Sequence, residues 1–398
     1  MSFLPDDIVY YLCGWLDTPT LTVMNRVSRD FYAAAVGFVW AHLTLSYNGQ
    51  TWNRFEGTVA MLSVSPHLTK VIGSLRIQIW ESSIPSESET DTLHRVLSAI
   101  RVLQLSTRLR KLQLYLNRER PFGRLFYEEL ARGNFNFKLE ECAIPGSFAP
   151  PREFMHFLQP MTSLRSLTMS GIRDQEYGWL NYKPDPDNWP FLESIHFGDI
   201  QSVAAFIPGR PIQKVTVWEL SSDSPKLRSL VKDPVESMRT FKMLSWESEH
   251  SPRGAKALEE CLSDLRMAFP RISTLFIGYW YAPADDDGPE HLPPMFTKAT
   301  FRTLGEFKEL QTLVCPIWAT EGEREDKIYH AEPLLSDLHV HCPSLHEVFL
   351  REGIFTPPAG PELYENWVRI ISDCSMESMW EKKEWNSPEA LAKHVDSL

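Results

Sequence analysis

Ten times between residues 72 and 350 the chain repeats one short pattern: an apolar residue, two others, an apolar residue, one other, and an apolar residue. LRKLQL from Leu109, LRSLTM from Leu164 and LHEVFL from Leu345 are clear instances; the others begin at Ile72, Leu139, Leu192, Ile212, Met238, Ile272 and Leu310. The alternation closing each one is the period of a half-buried strand. First positions lie 20 to 38 residues apart, enough chain for a helix or loop to return to the same edge. Strands joined this way run parallel, and units that contact only their neighbours stack into a solenoid. A stacked array of short parallel strands is therefore the expected frame.

Several instances are preceded by a proline step, as in WPFL, FPRI and CPSL. The clearest intervening helices are DTLHRVLSAIRVLQLST (91–107) and GAKALEECLSDLRMAF (254–269). The arrangement resembles leucine-rich repeats in a degenerate form, which implies an α/β solenoid with strands on its concave side and helices or loops outside. A terminal cap must protect the last apolar layer of such a stack. ELYENWVRIISDC (362–374) is expected to be that capping helix, and the polar stretch after it a partly loose tail.

The first 45 residues differ from the rest. From Phe3 to Leu45, 26 of 43 residues are apolar, against 43% for the whole chain. Leu4-Pro5-Asp6-Asp7 reads as a helix start, with proline in the first turn and two carboxylates at the positive end of the dipole. Ile8, Tyr11, Leu12, Trp15 and Leu16 then fall on one face, while Val9, Tyr10 and Cys13 lie off it. Asp17-Thr18-Pro19 starts a second helix with Leu21, Met24 and Val27, and Ser28 caps a third with Phe31, Tyr32, Val36 and Trp40. Three short helices cannot bury this much apolar surface against each other. Either the rest of the chain covers it or another protein does.

Leu4-Pro5, Ile8, Leu12, Leu16-Asp17, Leu21, Val27-Ser28-Arg29, Phe31-Tyr32, Trp40 and Leu43 together resemble an F-box, a match that spans residues 3–43. Asp7 stands where the motif usually has Glu, and Thr20 where it usually has Asp. The resemblance implies docking onto the Skp adaptor of a cullin-scaffolded ubiquitin ligase. It assigns Leu4, Pro5, Ile8, Leu12, Leu16, Leu21 and Val27 jointly to the adaptor interface and the motif's own small core. Trp40 and Leu43 are expected to join the motif to the repeat region. An F-box leading into irregular leucine-rich repeats is similar to a family of F-box proteins abundant in fungi. The implied layout is an F-box at 1–45, a connecting segment at 46–65, a solenoid of about ten strands at 66–361, and a cap helix with tail at 362–398.

In such a repeat, positions +2, +4 and +6 after the first apolar residue face the concave side. They include Lys111, Gln113, Tyr115, His196, Lys214, Trp218, Lys242, Phe276, Phe349 and Arg351. Exposed aromatics beside Arg and Lys are common anchors of protein interfaces, so Tyr115, His196, Trp218, Lys242, Phe276, Phe349 and Arg351 are the candidate substrate surface. A register slip of one residue would bury them instead. Position +8 holds Trp80, Trp246, Trp280 and Trp318, either as filling at the strand exits or as an aromatic rim for a peptide.

The remaining features narrow the function by exclusion. A net charge of −12, without a Lys/Arg stripe, disfavours nucleic acid. Six scattered cysteines make no disulfide framework, so a reducing compartment is expected. MSFLPDD is no secretory signal, and the longest apolar run, 31–41, is about half of a membrane span, which places the chain in the cytoplasm, the nucleus or both. The acidic loops 181–190, 281–290 and 321–326 lack calcium-loop spacing, and HVHCP (339–343) lacks the second pair a zinc site needs. No metal, cofactor or catalytic constellation is expected. The expected function is substrate recognition for a Skp–cullin–F-box ligase, with an unknown target protein on the solenoid. A non-catalytic scaffold that does not lead to ubiquitylation is the alternative.

Overall fold

The computed structural model describes residues 6–24, 26–47, 52–79, 89–117, 120–144, 152–169, 184–221, 227, 231, 233–247, 254–281, 298–317, 331–352, 364–371, 378–383, 385 and 387–398. The chain forms two compact units, one of residues 1–174 with 187–192 and the other of residues 175–186 with 193–398.

Each of the ten repeated phrases is a strand. In the first unit β1 (His42–Tyr47), β2 (Ser74–Ile79), β3 (Lys111–Tyr115), β4 (Glu141–Ala143) and β5 (Ser166–Met169) pair in parallel and in chain order. In the second, β6 (Ser194–Phe197), β7 (Lys214–Ser221), β8 (Thr240–Glu247), β9 (Thr274–Tyr281), β10 (Thr312–Ile317) and β11 (Glu347–Glu352) do the same. The parallel strands therefore number eleven among the described residues. The extra one is β1, which starts inside the 1–45 segment and precedes the first repeat.

The first apolar residue of every phrase, from Ile72 to Leu345, has no exposed surface. Positions +3 and +5 are buried with it, as Leu112 and Leu114 in β3 or Val215 and Val217 in β7. The register is held at one point per repeat. The carbonyl at +1 accepts two consecutive amides from the next repeat: Gly73 from Arg110 and Lys111, and Gln213 from Arg239 and Thr240. Eight such junctions occur among the described residues, at N···O distances of 2.7 to 3.0 Å. Every donor and acceptor here is a main-chain group, so side-chain identity at these positions is free.

Helices return the chain between strands. The first unit carries α1 (Asp6–Cys13), α2 (Thr18–Met24), α3 (Arg29–Ala41), α4 (Trp52–Val64), α5 (Pro66–Thr69), α6 (Glu89–Leu105), α7 (Pro121–Arg132) and α8 (Arg152–Leu158). The second carries α9 (Ile200–Phe206), α10 (Gly254–Ala268), α11 (Lys298–Gly305), α12 (Ala331–His341) and α13 (Pro388–Ser397). Phe122, Phe126, Tyr127 and Phe154 pass an aromatic contact from α7 to α8. The stretch 46–65, expected as a plain connection, holds α4.

The C-terminal region departs from expectation. Residues 364–371 form strand β12 (Tyr364–Ile371), not a capping helix; it pairs antiparallel with β11, and β13 (Ser378–Lys383) pairs antiparallel with β12. A helical reading fits the 363, 367, 370, 371 spacing of apolar residues, but the unpaired backbone edge of β11 requires partners, and extended chain supplies them. The tail also is ordered: Ser387 caps α13, its Oγ accepting from Ala390 N at 3.1 Å.

Candidate interaction surfaces

The second and third N-terminal helices are each capped by a side chain. Asp17 Oδ1 accepts from Thr20 N at 3.0 Å and Ser28 Oγ from Phe31 N at 3.2 Å. Hydrogen bonds from Thr20, side chain and backbone, hold the Asp17 carboxyl below the ordinary carboxylate range. The small core is Val9, Cys13, Leu21 and Ala35, with Leu16, Phe31, Ala34, Phe38 and Val39 packed on it. Burial pushes the Cys13 thiol up.

This core is built from the residues that lie off the long apolar stripe of α1. The stripe itself faces outward. Ile8 and Leu12 are each 42% exposed, Tyr11 65% and Trp15 75%. Val23 of α2, Val27 in the turn after it and Tyr32 of α3 extend the exposed apolar set. Tyr11 and Trp15 meet edge to face with centroids 6.0 Å apart. Of the seven adaptor candidates, Ile8, Leu12 and Val27 lie on this surface, while Leu16 is half-buried. Leu21 is only 3% exposed and belongs to the core, because α2 turns it onto Val9 and Cys13. Leu4 and Pro5 lie outside the described residues. Trp15 and Tyr11 join the surface without being adaptor candidates; their place on the stripe with Ile8 and Leu12, at i+7 and i+3, is the signal that finds them.

Within each unit the +4 residues form one row across the strands. In the first unit it reads Arg76, Gln113, Ala143, Thr168 by register, and its side chains are half-buried. The Arg76 guanidinium lies over the Tyr115 ring, 4.3 Å from its centroid, so Tyr115 is held by a cation–π contact on the open strand face. Beside it Lys111 Nζ meets the Glu141 carboxylate at 2.7 Å.

In the second unit the +4 row is His196, Thr216, Lys242, Phe276, Val314, Phe349. The register expected from the sequence holds, yet the row is not open. Helix α13 lies on it, seating Leu391 and Val395 against Phe276, Val314 and Phe349. Phe349 is fully buried, Phe276 5% exposed and Lys242 6%. These three candidate substrate residues are thus covered, and by the chain's own helix rather than by a slipped register. Lys242 Nζ reaches the Val395 carbonyl and Lys214 Nζ the Ser397 carbonyl, each at 3.4 Å. His196 is half-buried, with its Nε2 enclosed and without a hydrogen-bond partner. Burial first, then the Lys242 and Lys214 charges, lower its pKa to about 4. Trp218, on the +6 row of β7, remains 48% exposed.

The Arg351 side chain lies outside the described residues, as do Trp80, Trp318 and the indoles of Trp246 and Trp280; the backbones of Trp246 and Trp280 face each other between β8 and β9. The HVHCP cysteine is a core residue: Cys342 is fully buried, its thiol donating to the Phe301 carbonyl at 3.7 Å. Of the acidic loops, 181–190 is described from Pro184 on, and in it Trp189 is fully buried, its Nε1 donating to the Leu158 carbonyl at 2.8 Å. No group of three or more His, Cys, Asp or Glu side chains suited to a metal occurs among the described residues. No described helix is long and apolar enough to cross a membrane.

No family model and no curated protein matches the chain. Solved structures do, among them one described as the crystal structure of a TLR13–ssRNA13 complex. Its TM-score is 0.39 at 13% identity over 80% of this chain, which spans 38% of that one.

Proposed function

We propose that this chain is the substrate-recognition subunit of a Skp–cullin–F-box ubiquitin ligase. The outward apolar stripe of α1 and α2 docks on the Skp adaptor, and the repeat strands present a target protein. The chain performs no chemistry itself; it supplies effective concentration and orientation to the enzymes its partners recruit. It works in the cytoplasm, the nucleus or both.

The observation that carries the proposal is the division of labour on α1. From α1 only Val9 and Cys13 enter the buried core with Leu21 and Ala35, while Ile8, Tyr11 and Leu12, and Trp15 just past the helix end, stay exposed. Contiguous exposed apolar surface of this kind marks a protein interface. The F-box resemblance of residues 3–43 says which partner. The stack of parallel strands supports the second half, since repeat arrays of this form offer long faces for protein binding.

Co-expression of the full chain with a Skp-type adaptor and a cullin tests it. A stoichiometric three-protein complex on gel filtration is the expected result. A chain that elutes alone, with adaptor and cullin together in another peak, refutes the proposal.

A further inference from the structure

Helix α13 closes the +4 row of the second unit by seating Leu391 and Val395 on Phe276, Val314 and Phe349. The same row in the first unit is of another kind. From β1 to β5 it reads Thr44, Arg76, Gln113, Ala143 and Thr168 by register. Thr44 is exposed and the other four are half-buried, so the row presents hydroxyl, guanidinium and amide groups rather than an apolar floor. Its single charged member is Arg76. Other cations of the first unit meet acids: Arg95 meets Glu56, Arg110 meets Glu140 and Lys111 meets Glu141. Arg76 has the Tyr115 ring instead, 4.3 Å from its centroid, and among the described residues no carboxylate pairs with it. Its Nε is enclosed without a hydrogen-bond partner, an arrangement that native structures reserve for sites with a further use. The ring fixes the plane of the guanidinium. With the Nε edge closed, the two terminal amino groups remain as donors, a planar fork that fits both oxygens of one carboxylate. A phosphate dianion fits less well, because Lys111, next along the open face of β3, is already held by Glu141 at 2.7 Å, and Glu141 repels a dianion more than a monoanion.

We propose that the strand face of the first unit is a binding site for an extended acidic segment of a target protein, in which Arg76 holds the side-chain carboxylate of an aspartate or glutamate. Gln113 and Thr168, farther along the row, supply amide and hydroxyl partners to the main chain of the segment, and the small Ala143 between them leaves room for its side chains. Neighbouring strands lie about 4.8 Å apart, so the row from β2 to β5 spans about 14 Å, the length of about four extended residues. This rests on the receptor half of the function proposed above and names the ligand class and the residue that reads it.

The test uses the fluorescein-labelled full chain and immobilised sets of short peptides, randomised except at a central residue that is Glu, Gln or phosphoserine. At sub-saturating concentration the Glu set is expected to retain about tenfold more chain than the Gln set, the worth of one hydrogen bond between charged groups, and more than the phosphoserine set. Arg76→Gln is expected to bring the Glu set down to the Gln level with an unchanged circular dichroism melt. Equal retention by the Glu and Gln sets, or none above the bare support, overturns the proposal, as does a Glu preference that survives Arg76→Gln. A phosphoserine set ahead of the Glu set makes this a phosphate site and overturns the carboxylate assignment. Photo-crosslinking to the wild-type chain decides the matter should the variant fold poorly. Glu-set peptides carrying benzoylphenylalanine beside the Glu are expected to label β2 or β3, and labelling confined to other elements refutes the site. No adaptor enters either assay, so failure here with intact adaptor capture removes this site alone, and failed adaptor capture with intact Glu preference removes only the ligase assignment.

Discussion

The exposed apolar set of the N-terminal helices lends itself to a quantitative test with Leu12→Asp on α1 and Val27→Asp in the turn after α2 made together. Complete burial of such a side chain is worth about 2 kcal/mol. Leu12 is 42% exposed and Val27 63% exposed, so docking has about 0.8 and 1.3 kcal/mol still to gain from them. Aspartate forfeits that gain and adds a carboxylate to be desolvated against an apolar partner, at a cost of about 1–3 kcal/mol each. Even the lower figures sum to about 4 kcal/mol, or roughly a thousandfold in affinity. The fold should barely respond, because changes at exposed sites stay within about 0.5 kcal/mol. Leu21→Asp is the contrasting control: at 3% exposure it puts a charge into the core of Val9, Cys13 and Ala35 and should unfold the three helices. Calorimetric titration with purified adaptor reads the affinity, and circular dichroism melts read the fold. Binding within threefold of wild type, with an unchanged melt, would show that this stripe is not the docking face.

Three further outcomes come from the packing. Trp189→Phe removes the indole donor to Leu158, whose carbonyl keeps the Met161 N–H, so urea titration of the intact chain should show about 2 kcal/mol lost, half from the hydrogen bond and half from volume. His196 is held neutral in the fold with its pKa near 4, below the ordinary 6.5, so the unfolded chain binds the extra proton first. Stability is whole above about pH 6.5 and falls toward pH 4 by about 2 kcal/mol, and His196→Phe should flatten that slope in urea midpoints measured at pH 5 and 7.5. Gly278 lies where an added Cβ collides with the Leu244 carbonyl oxygen of the neighbouring strand, so Gly278→Ala should cost about 3 kcal/mol by forcing β8 and β9 apart; a neutral melt would refute the closeness of that approach.

The strands were legible because each is preceded, two residues before it starts, by a residue that must be buried. Ile72, Leu109 and their eight counterparts carry the alternation and the spacing that the fold uses. The outer face of α1 was legible in part: Ile8, Tyr11, Leu12, Trp15 and Leu16 form the stripe, but sequence periodicity ordinarily assigns the longest stripe to the core. Here the core took the shorter line of Val9 and Cys13. Strand β12 was hidden because its apolar spacing suits a helix equally well, and the edge of β11 that decides the matter lies some twenty residues away in sequence. Nothing in Phe276 or Phe349 announces that a later segment will cover them. The sign was in that segment, where Ser387-Pro388 opens a helix whose Leu391 and Val395 share a face. Long-range cover of this kind escapes any window of sequence shorter than the intervening chain.

The paired amides that converge on one carbonyl at eight of the repeat junctions have an evolutionary consequence. Within each unit successive repeats are pinned at a single spot made of peptide groups, and the arc of chain that leads to the next pin can lengthen or shorten without shifting it. Loops of unequal size, from 20 to 38 residues per period, are what such a ratchet permits. Lineages of this protein can therefore lose sequence likeness quickly and insert new segments between strands freely, while the strands of each unit keep their alignment tooth by tooth.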